Sequence, residues 1–170
     1  YGQEYRLFYN EAVAHHNQPV ALVIAETLEQ ATYAASLVEV SYDKLPHQTV
    51  LLDYLPAKMT PHRPSDSLRG HADAWKNAEV TIDQEYHTSI QVHNIMEPHA
   101  TTAHWLPSGK LLIYNKTQFV QSTKDAFINY FNLNEDQVEV HAPFVGGALG
   151  SASRVWPHEM AAVLGAKKIG

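Results

Sequence analysis

The spacing of apolar residues changes several times along the first part of the chain. Residues 5–9 and 20–25 are rich in β-branched and aromatic residues, and residues 38–45 alternate apolar with polar side chains; both patterns are typical of strands. Residues 27–37 have apolar side chains at helical spacing, and they open with the Ser/Thr-x-x-Gln form of a capping box. This order predicts a β-α-β unit.

A second and longer set of elements is predicted from residue 71 onward. In chain order these are a short helix at residues 72–78, a long strand at residues 79–90 and a hairpin of two strands at residues 101–105 and 110–115. A helix at residues 122–131, a strand at residues 138–142 and a last helix at residues 156–168 follow. Ser122 is the predicted N-cap of the first long helix, and Pro157 suits the first turn of the last one.

Prolines divide these two regions. Pro56, Pro61 and Pro64 lie among Arg, Ser and Asp residues, which favours an extended linker. We therefore predict a domain over residues 1–55, a linker over residues 56–70 and a second domain over residues 71–170.

Composition removes several classes of function. A chain of 170 residues with 45% hydrophobic content can bury a core, whereas a net charge of −6 with only 12 Lys and Arg argues against nucleic acid as a partner. No apolar run approaches the roughly 20 residues that cross a bilayer. The absence of cysteine excludes disulfides and cysteine ligation of zinc or iron–sulfur clusters within this chain. We expect a soluble protein, and the sequence leaves a cytoplasmic or periplasmic location open.

Two local patterns carry candidate chemistry. Residues 143–150 read Pro-Phe-Val-Gly-Gly-Ala-Leu-Gly after a predicted strand, so they form either a cradle for an anion or cofactor or an ordinary tight connection. Glu97 lies between Met96 and Pro98, where a buried carboxylate would accept backbone N–H bonds, form an ion pair or act in catalysis.

The 11 histidines raise the question of a metal site. His93, His99 and His104 are the densest group, but Pro98 interrupts any helix that could align them, and no short zinc-binding spacing is present. We predict no metal ligands in this chain.

Several motifs in one order resemble a known family. Residues 91–99 read Gln-Val-His-Asn-Ile-Met-Glu-Pro-His, and they are followed by Thr117-Gln118, by the glycine loop and by the segment Arg-Val-Trp-Pro-His-Glu at residues 154–159. The series resembles the molybdenum-binding large subunit of the xanthine dehydrogenase and aldehyde oxidase family. Residues 17–42 resemble the end of its small α/β hammerhead domain. The resemblance implies an α+β fold: the end of a hammerhead domain followed by the first α/β part of a molybdopterin-binding domain.

The same resemblance implies the site residues. Gln118 matches a glutamine that hydrogen-bonds an oxo ligand of the molybdenum centre, and the glycine loop matches one whose amides face the metal's oxygen ligand and the pterin. The implied cofactor-binding residues are Gln118, Gly146, Gly147, Ala148, Leu149 and Gly150. Ala148, Leu149 and Ser151 stand where the family more often has Gly, Phe and Gly. No catalytic residue is assigned, because the late Gly-x-Gly-Glu segment that carries the family's catalytic glutamate has no match here.

The function implied is therefore that of a fragment or split chain of a molybdenum hydroxylase, which oxidatively hydroxylates an aldehyde or N-heterocycle. The chain would contribute part of the molybdopterin pocket and would be inactive alone, binding no cofactor in isolation. Its implied partners are the rest of the molybdenum subunit, iron–sulfur and flavin subunits or domains, and a small-molecule substrate. The alternative is a non-catalytic scaffold or subunit-contact module that has lost the metal site.

Overall fold

The structure, a computed structural model, describes residues 7–50, 53, 69–71 and 73–170. The described residues fall into two compact units, one drawn from residues 1–38 and 91–170 and the other from residues 39–90. Most of the predicted linker lies outside the described residues. The division into residues 1–55, 56–70 and 71–170 therefore stays a prediction.

The larger unit is built on a three-stranded sheet of order β1-β2-β3. Strands β1 (Thr101–Trp105) and β2 (Leu111–Asn115) form an antiparallel hairpin, and β3 (Val138–His141) lies parallel to β2. The hairpin turn is closed by Leu106 and Lys110, whose N–H and carbonyl oxygen are 2.8 Å apart, and Gly109 adopts the positive φ of 82° that the turn needs. The predicted hairpin is confirmed.

The part of the chain that the structure describes contains three α-helices with defined bounds. They are α1 (Leu28–Ser36), α2 (Val120–Phe131), which connects the parallel strands β2 and β3, and α3 (Pro157–Ile169). A connection of this length is what parallel neighbouring strands require. Together with the mixed sheet, these helices confirm the predicted α+β class.

The core lies where α2 and α3 cover the sheet. It joins the inward side chains of β2 and β3 to apolar residues of both helices, namely Leu111, Ile113, Phe127, Val138, Met160 and Val163. The odd-numbered residues of β2 are buried while Leu112 is half-buried and Tyr114 is exposed. The alternation of this strand therefore decides which of its residues enter the core.

Helix termini agree with the sequence at α1 and α3 but not at α2. Thr27 caps α1, since its Oγ1 accepts the N–H of Gln30 at 3.2 Å, and Pro157 occupies the first turn of α3. The predicted cap at Ser122 is wrong: α2 begins at Val120, and Thr123 turns inward instead to share a hydrogen bond with Thr117. The helix ends as expected at Asn132, which has a left-handed φ of 51°.

The predicted strands at residues 20–25, 38–45 and 79–90 form no ladder within the described part of the chain. Residues 7–9 lie in a turn and bend, while the rest of the predicted 5–9 strand is outside the described residues. The β-α-β prediction is therefore wrong for its strands and right for its helix. Alternation indicates which side chains share a face, but a ladder also needs a neighbouring backbone to bond.

In the smaller unit, the predicted short helix is a single 3₁₀ turn, Ala74–Asn77. An ion pair between Lys76 and Asp73, 3.0 Å apart, spans this turn. Across the described residues of the whole chain, no helix is both long enough and apolar enough to cross a membrane.

Candidate functional site

The glycine loop has an unusual backbone conformation. Gly146 and Gly147 have φ values of 55° and 71°, and Leu149 and Gly150 follow with 49° and 91°. Glycine adopts this region without cost, whereas a leucine there is strained by about 1–2 kcal/mol. Leu149 therefore holds the loop conformation at an energetic cost.

The main-chain donors of this loop are unused. Within the described residues, none of the N–H groups of residues 146–150 donates a hydrogen bond. The first N–H that does so is that of Ser151, which donates to the carbonyl oxygen of Ala148 at 2.8 Å. A run of free N–H groups in left-handed or turn conformation is the arrangement that binds anions and oxygen ligands.

An open hollow of about 620 Å³ lies beside the loop. Its walls are residues 94–97 on one side and Gly146, Gly147 and Leu149 on the other. The structure therefore brings the Met-Glu-Pro segment and the glycine loop, separated by some fifty positions in the sequence, to the two sides of one hollow. Leu149 is 73% exposed and contributes apolar surface to it.

Glu97 explains why residue 146 must be glycine. A Cβ built on Gly146 would lie 1.6 Å from Oε2 and 2.3 Å from Cβ of Glu97. The expected ion pair or N–H bonds of the Glu97 carboxylate are absent among the described residues; instead, the main-chain oxygen of Glu97 accepts a hydrogen bond from the ammonium of Lys116. Lys116 is only 5% exposed, so a buried side chain holds the backbone of the Met-Glu-Pro segment in place.

Gln118 is joined to the far end of the loop through its backbone. Its N–H donates to the carbonyl oxygen of Ala152 at 2.8 Å, and Thr117 Oγ1 donates to the same oxygen at 3.3 Å. The Gln118 side chain is exposed and is not among the residues that line the hollow. The backbone of the predicted glutamine is therefore bonded to the residues that directly follow the glycine loop, while the role of its carboxamide stays a prediction.

A buried polar network holds the start of α3. Glu159 is 1% exposed; its Oε1 accepts the N–H of Trp156 at 3.0 Å and its Oε2 accepts Asn115 Nδ2 at 2.6 Å. Desolvation by burial raises the pKa of Glu159 to about 7, although the two hydrogen bonds lower it. The Trp156 indole N–H donates to the carbonyl oxygen of Ser151, at the end of the glycine loop.

Two histidines lie beside this network. The rings of His99 and His158 are 5.5 Å apart, and His99 is 6.0 Å from the Trp156 ring. Burial, and then the positive charge of His99, lower the pKa of His158 to about 4. The pKa of His99 is lowered by burial first, then by Lys116 and His93. His158 is therefore neutral at pH 7, and the neutral form of His99 is favoured as well.

The described residues contain no group of three or more His, Asp or Glu side chains placed to hold a metal ion. Within them, His99 Nδ1 is the buried side-chain nitrogen without a hydrogen-bond partner. His93 lies near the loop, with its Nε2 3.9 Å from a Cβ built on Gly150.

Sequence reasoning missed Asn115, Lys116 and Trp156. A signal was present for the first two, because Asn115 ends, and Lys116 directly follows, a strand whose alternate side chains are buried. Such residues must find partners inside the fold. Nothing local in the sequence indicates that the Trp156 indole reaches Ser151.

Comparisons with known proteins agree with this architecture. Residues 58–170 match the family described as molybdopterin cofactor-binding domain, and residues 2–46 match the aldehyde oxidase and xanthine dehydrogenase a/b hammerhead domain. The predicted order, the end of a hammerhead domain followed by part of a molybdopterin-binding domain, is confirmed.

Relatives share this sequence over nearly the whole chain. The aldehyde oxidoreductase molybdenum-binding subunit of Escherichia coli K12 is 31% identical over 166 residues, which cover 96% of this chain and 22% of the relative. The nicotine 6-hydroxylase large subunit of Paenarthrobacter nicotinovorans is 28% identical over 178 residues, covering 96% of this chain and 21% of that protein. The chain thus spans about a fifth of the length of these relatives.

A solved structure shares the fold. Quinoline 2-oxidoreductase from Pseudomonas putida 86 superimposes with a TM-score of 0.70 at 21% identity, covering 86% of this chain and 20% of that one. With the family matches over residues 2–46 and 58–170, the conclusion is that this chain belongs to the aldehyde oxidase and xanthine dehydrogenase family of molybdopterin-binding subunits.

Proposed function

We propose that the glycine loop and Gln118 form part of the molybdenum–pterin pocket of a molybdenum hydroxylase, which oxidises an aldehyde or an N-heterocycle by hydroxylation. The observation that carries the proposal is the run of free N–H groups in residues 146–150 beside an open hollow. Oriented main-chain donors suit the oxygen atoms of an anionic cofactor, because they need no reorganisation when the group binds.

The main-chain hydrogen-bond donors of the glycine loop fit such a group. Gly147 offers positive φ with no atom within 4 Å of a built Cβ, so its backbone is open to close approach. Gly146, Gly147 and the amides that follow them would hold the cofactor's oxygen atoms, and Gln118 would add a carboxamide donor. When bound, the group supplies oxygen transfer and two-electron redox chemistry.

In that reaction, this chain would bind the cofactor and orient it. The side chain of Leu149 adds apolar surface to the hollow. The catalytic glutamate, the substrate contacts and the electron acceptors are assigned to the rest of the molybdenum subunit and to iron–sulfur and flavin partners. Several relatives are named as subunits of larger enzymes, which supports this assignment.

A scaffold without a metal site is the second candidate, and the Glu97 side chain favours it. A carboxylate pressed against Gly146 places a negative charge beside the donors that would face an anion. In that case the hollow would have only a structural role, as the contact region between residues 94–97 and the glycine loop.

Co-purification separates the two candidates. A tagged chain isolated from its native host with its bound partners should contain molybdenum by elemental analysis, together with activity on an aldehyde or N-heterocycle. A stable complex with no molybdenum would favour the scaffold.

Gln118→Ala in that complex should reduce turnover at least tenfold while leaving the melting temperature unchanged, because the exposed side chain is removed and its backbone bond to Ala152 stays. Equal losses of turnover and of thermal stability would mean that Gln118 is structural.

A further inference from the structure

We propose that Glu159 is a positioning residue for the glycine loop and that it acts through Trp156. The significance of this for a cofactor pocket rests on the proposed function. The hydrogen bonds that carry it belong to this chain alone and can be tested without a cofactor.

The Glu159 carboxylate is fixed from the sheet. Its Oε2 accepts Asn115 Nδ2 at 2.6 Å, and Asn115 Oδ1 in turn accepts Thr101 Oγ1 at 2.7 Å. One edge of the carboxylate is therefore tied to β2 and, through Asn115, to β1. Its other oxygen is left to accept the N–H of Trp156, at 3.0 Å.

Trp156 connects Glu159 to the end of the glycine loop. Its backbone is held by Glu159, and its indole N–H donates to the carbonyl oxygen of Ser151. Ser151 is itself folded back on Ala148, to whose oxygen it donates through N at 2.8 Å and through Oγ at 2.7 Å. A shift of Trp156 would therefore move the peptide that ends the run of free N–H groups.

A helix cap alone does not account for this arrangement. A carboxylate in the first turn of a helix is stabilising when it remains in water, and burial adds a desolvation cost. Glu159 nevertheless lies at 1% exposure between the sheet and the loop. Its position there is explained if the carboxylate links the two.

The charge state of Glu159 adds a way to test the link. Burial raises its pKa to about 7, and the groups that face it are the Asn115 amide from β2 and the Trp156 N–H from α3. Lys116 and His93 act on His99, and His99 acts on His158; no charge among the described residues contributes to the shift of Glu159. Because burial disfavours the charged form, ionisation of Glu159 favours any opening that lets water reach its carboxylate, so the loop should be held less firmly as pH rises.

Amide hydrogen exchange of the full chain measures this directly. The reporters are the amides of Ser151 and Gln118, which bond within and beside the loop, and the reference amides are those of β2 and β3. Glu159→Gln and Trp156→Phe should each lower protection at Ser151 by about tenfold relative to the sheet, as expected for loss of roughly one hydrogen bond. Glu135→Gln is the matched control, since that carboxylate is 81% exposed, and it should change neither.

The pH profile gives a second readout, in which the native chain is compared with Glu159→Gln. In the native sequence, protection at Ser151 should fall between about pH 4.5 and about pH 7, after correction for intrinsic exchange, and in Glu159→Gln it should be flat. The inference is overturned if loop and sheet amides lose protection equally in Trp156→Phe, or if protection at Ser151 in the native sequence does not change with pH. Trp156→Phe and the native profile decide the matter even if Glu159→Gln fails to fold.

Because the exchange experiment contains no molybdenum, its outcome is separate from that of co-purification. A loop held by Glu159 in a metal-free scaffold would retain this inference and reject the proposed function.

Discussion

Replacing Gly146 by alanine tests whether the Glu97 side chain dictates the glycine. Two costs add at this position: a positive φ of 55°, which costs an L-residue about 1–2 kcal/mol, and an overlap with Glu97, where overpacking costs typically about 1–3 kcal/mol. Gly146→Ala should therefore lower the free energy of unfolding by about 2–5 kcal/mol.

Gly147→Ala provides the matched control. Its φ of 71° imposes a similar backbone cost, but a Cβ there meets no atom within 4 Å. The difference between the two variants isolates the contact with Glu97 and should be about 1–3 kcal/mol. Urea unfolding followed by circular dichroism gives both free energies, provided that the slopes agree.

A double-mutant cycle identifies the group in contact. Glu97→Gly removes the whole side chain and should reduce the cost of Gly146→Ala to that of Gly147→Ala. Glu97→Ala should not, because the overlap includes the Glu97 Cβ, 2.3 Å from the built atom. The reasoning is refuted if Gly146→Ala costs no more than Gly147→Ala, or costs the same with and without the Glu97 side chain.

Three further outcomes are expected. The pKa of Glu159 is raised to about 7 in the folded state, so the native state holds a proton that the unfolded state releases above its ordinary pKa of 4.5. The free energy of unfolding should therefore fall by about 3 kcal/mol as pH rises between these two values. Thermal unfolding at several pH values measures this fall, and Glu159→Gln should flatten the profile. Phe127→Ala should cost about 3–5 kcal/mol by urea unfolding because the ring is fully buried, whereas Phe119→Ala, at a 56% exposed site, should cost far less. Trp105→Phe should cost about 1 kcal/mol in the same assay through loss of the indole bond to the Val163 oxygen, 3.1 Å long, and no change would contradict that role.

The hairpin and the final helix were predictable because their signals are local. A turn closed by Gly109 lies between two alternating segments, and Pro157 precedes an apolar stripe, so short-range sterics and hydrogen bonding decide both structures. The cap at Thr27 belongs to the same class. The cap predicted at Ser122 failed because a buried bond between Thr117 and Thr123 outweighed the local preference.

The glycine loop could be located from the sequence, but its surroundings could not. Order and spacing indicated residues 146–150 and Gln118, whereas the approach of Glu97 to Gly146 depends on how two distant segments pack. The same is true of Lys116, which reaches a main-chain oxygen nineteen residues earlier in the chain.

By itself, the sequence determined the family, the α+β class and the segment that carries the loop, because periodicity, turn residues and an ordered set of motifs are properties of neighbours along the chain. The tertiary structure decided which polar groups are buried together: the carboxylate of Glu159, the amide of Asn115 and the indole of Trp156. Burial sets both the strength of a hydrogen bond and the pKa of an acid, and it exists only once strands and helices have packed.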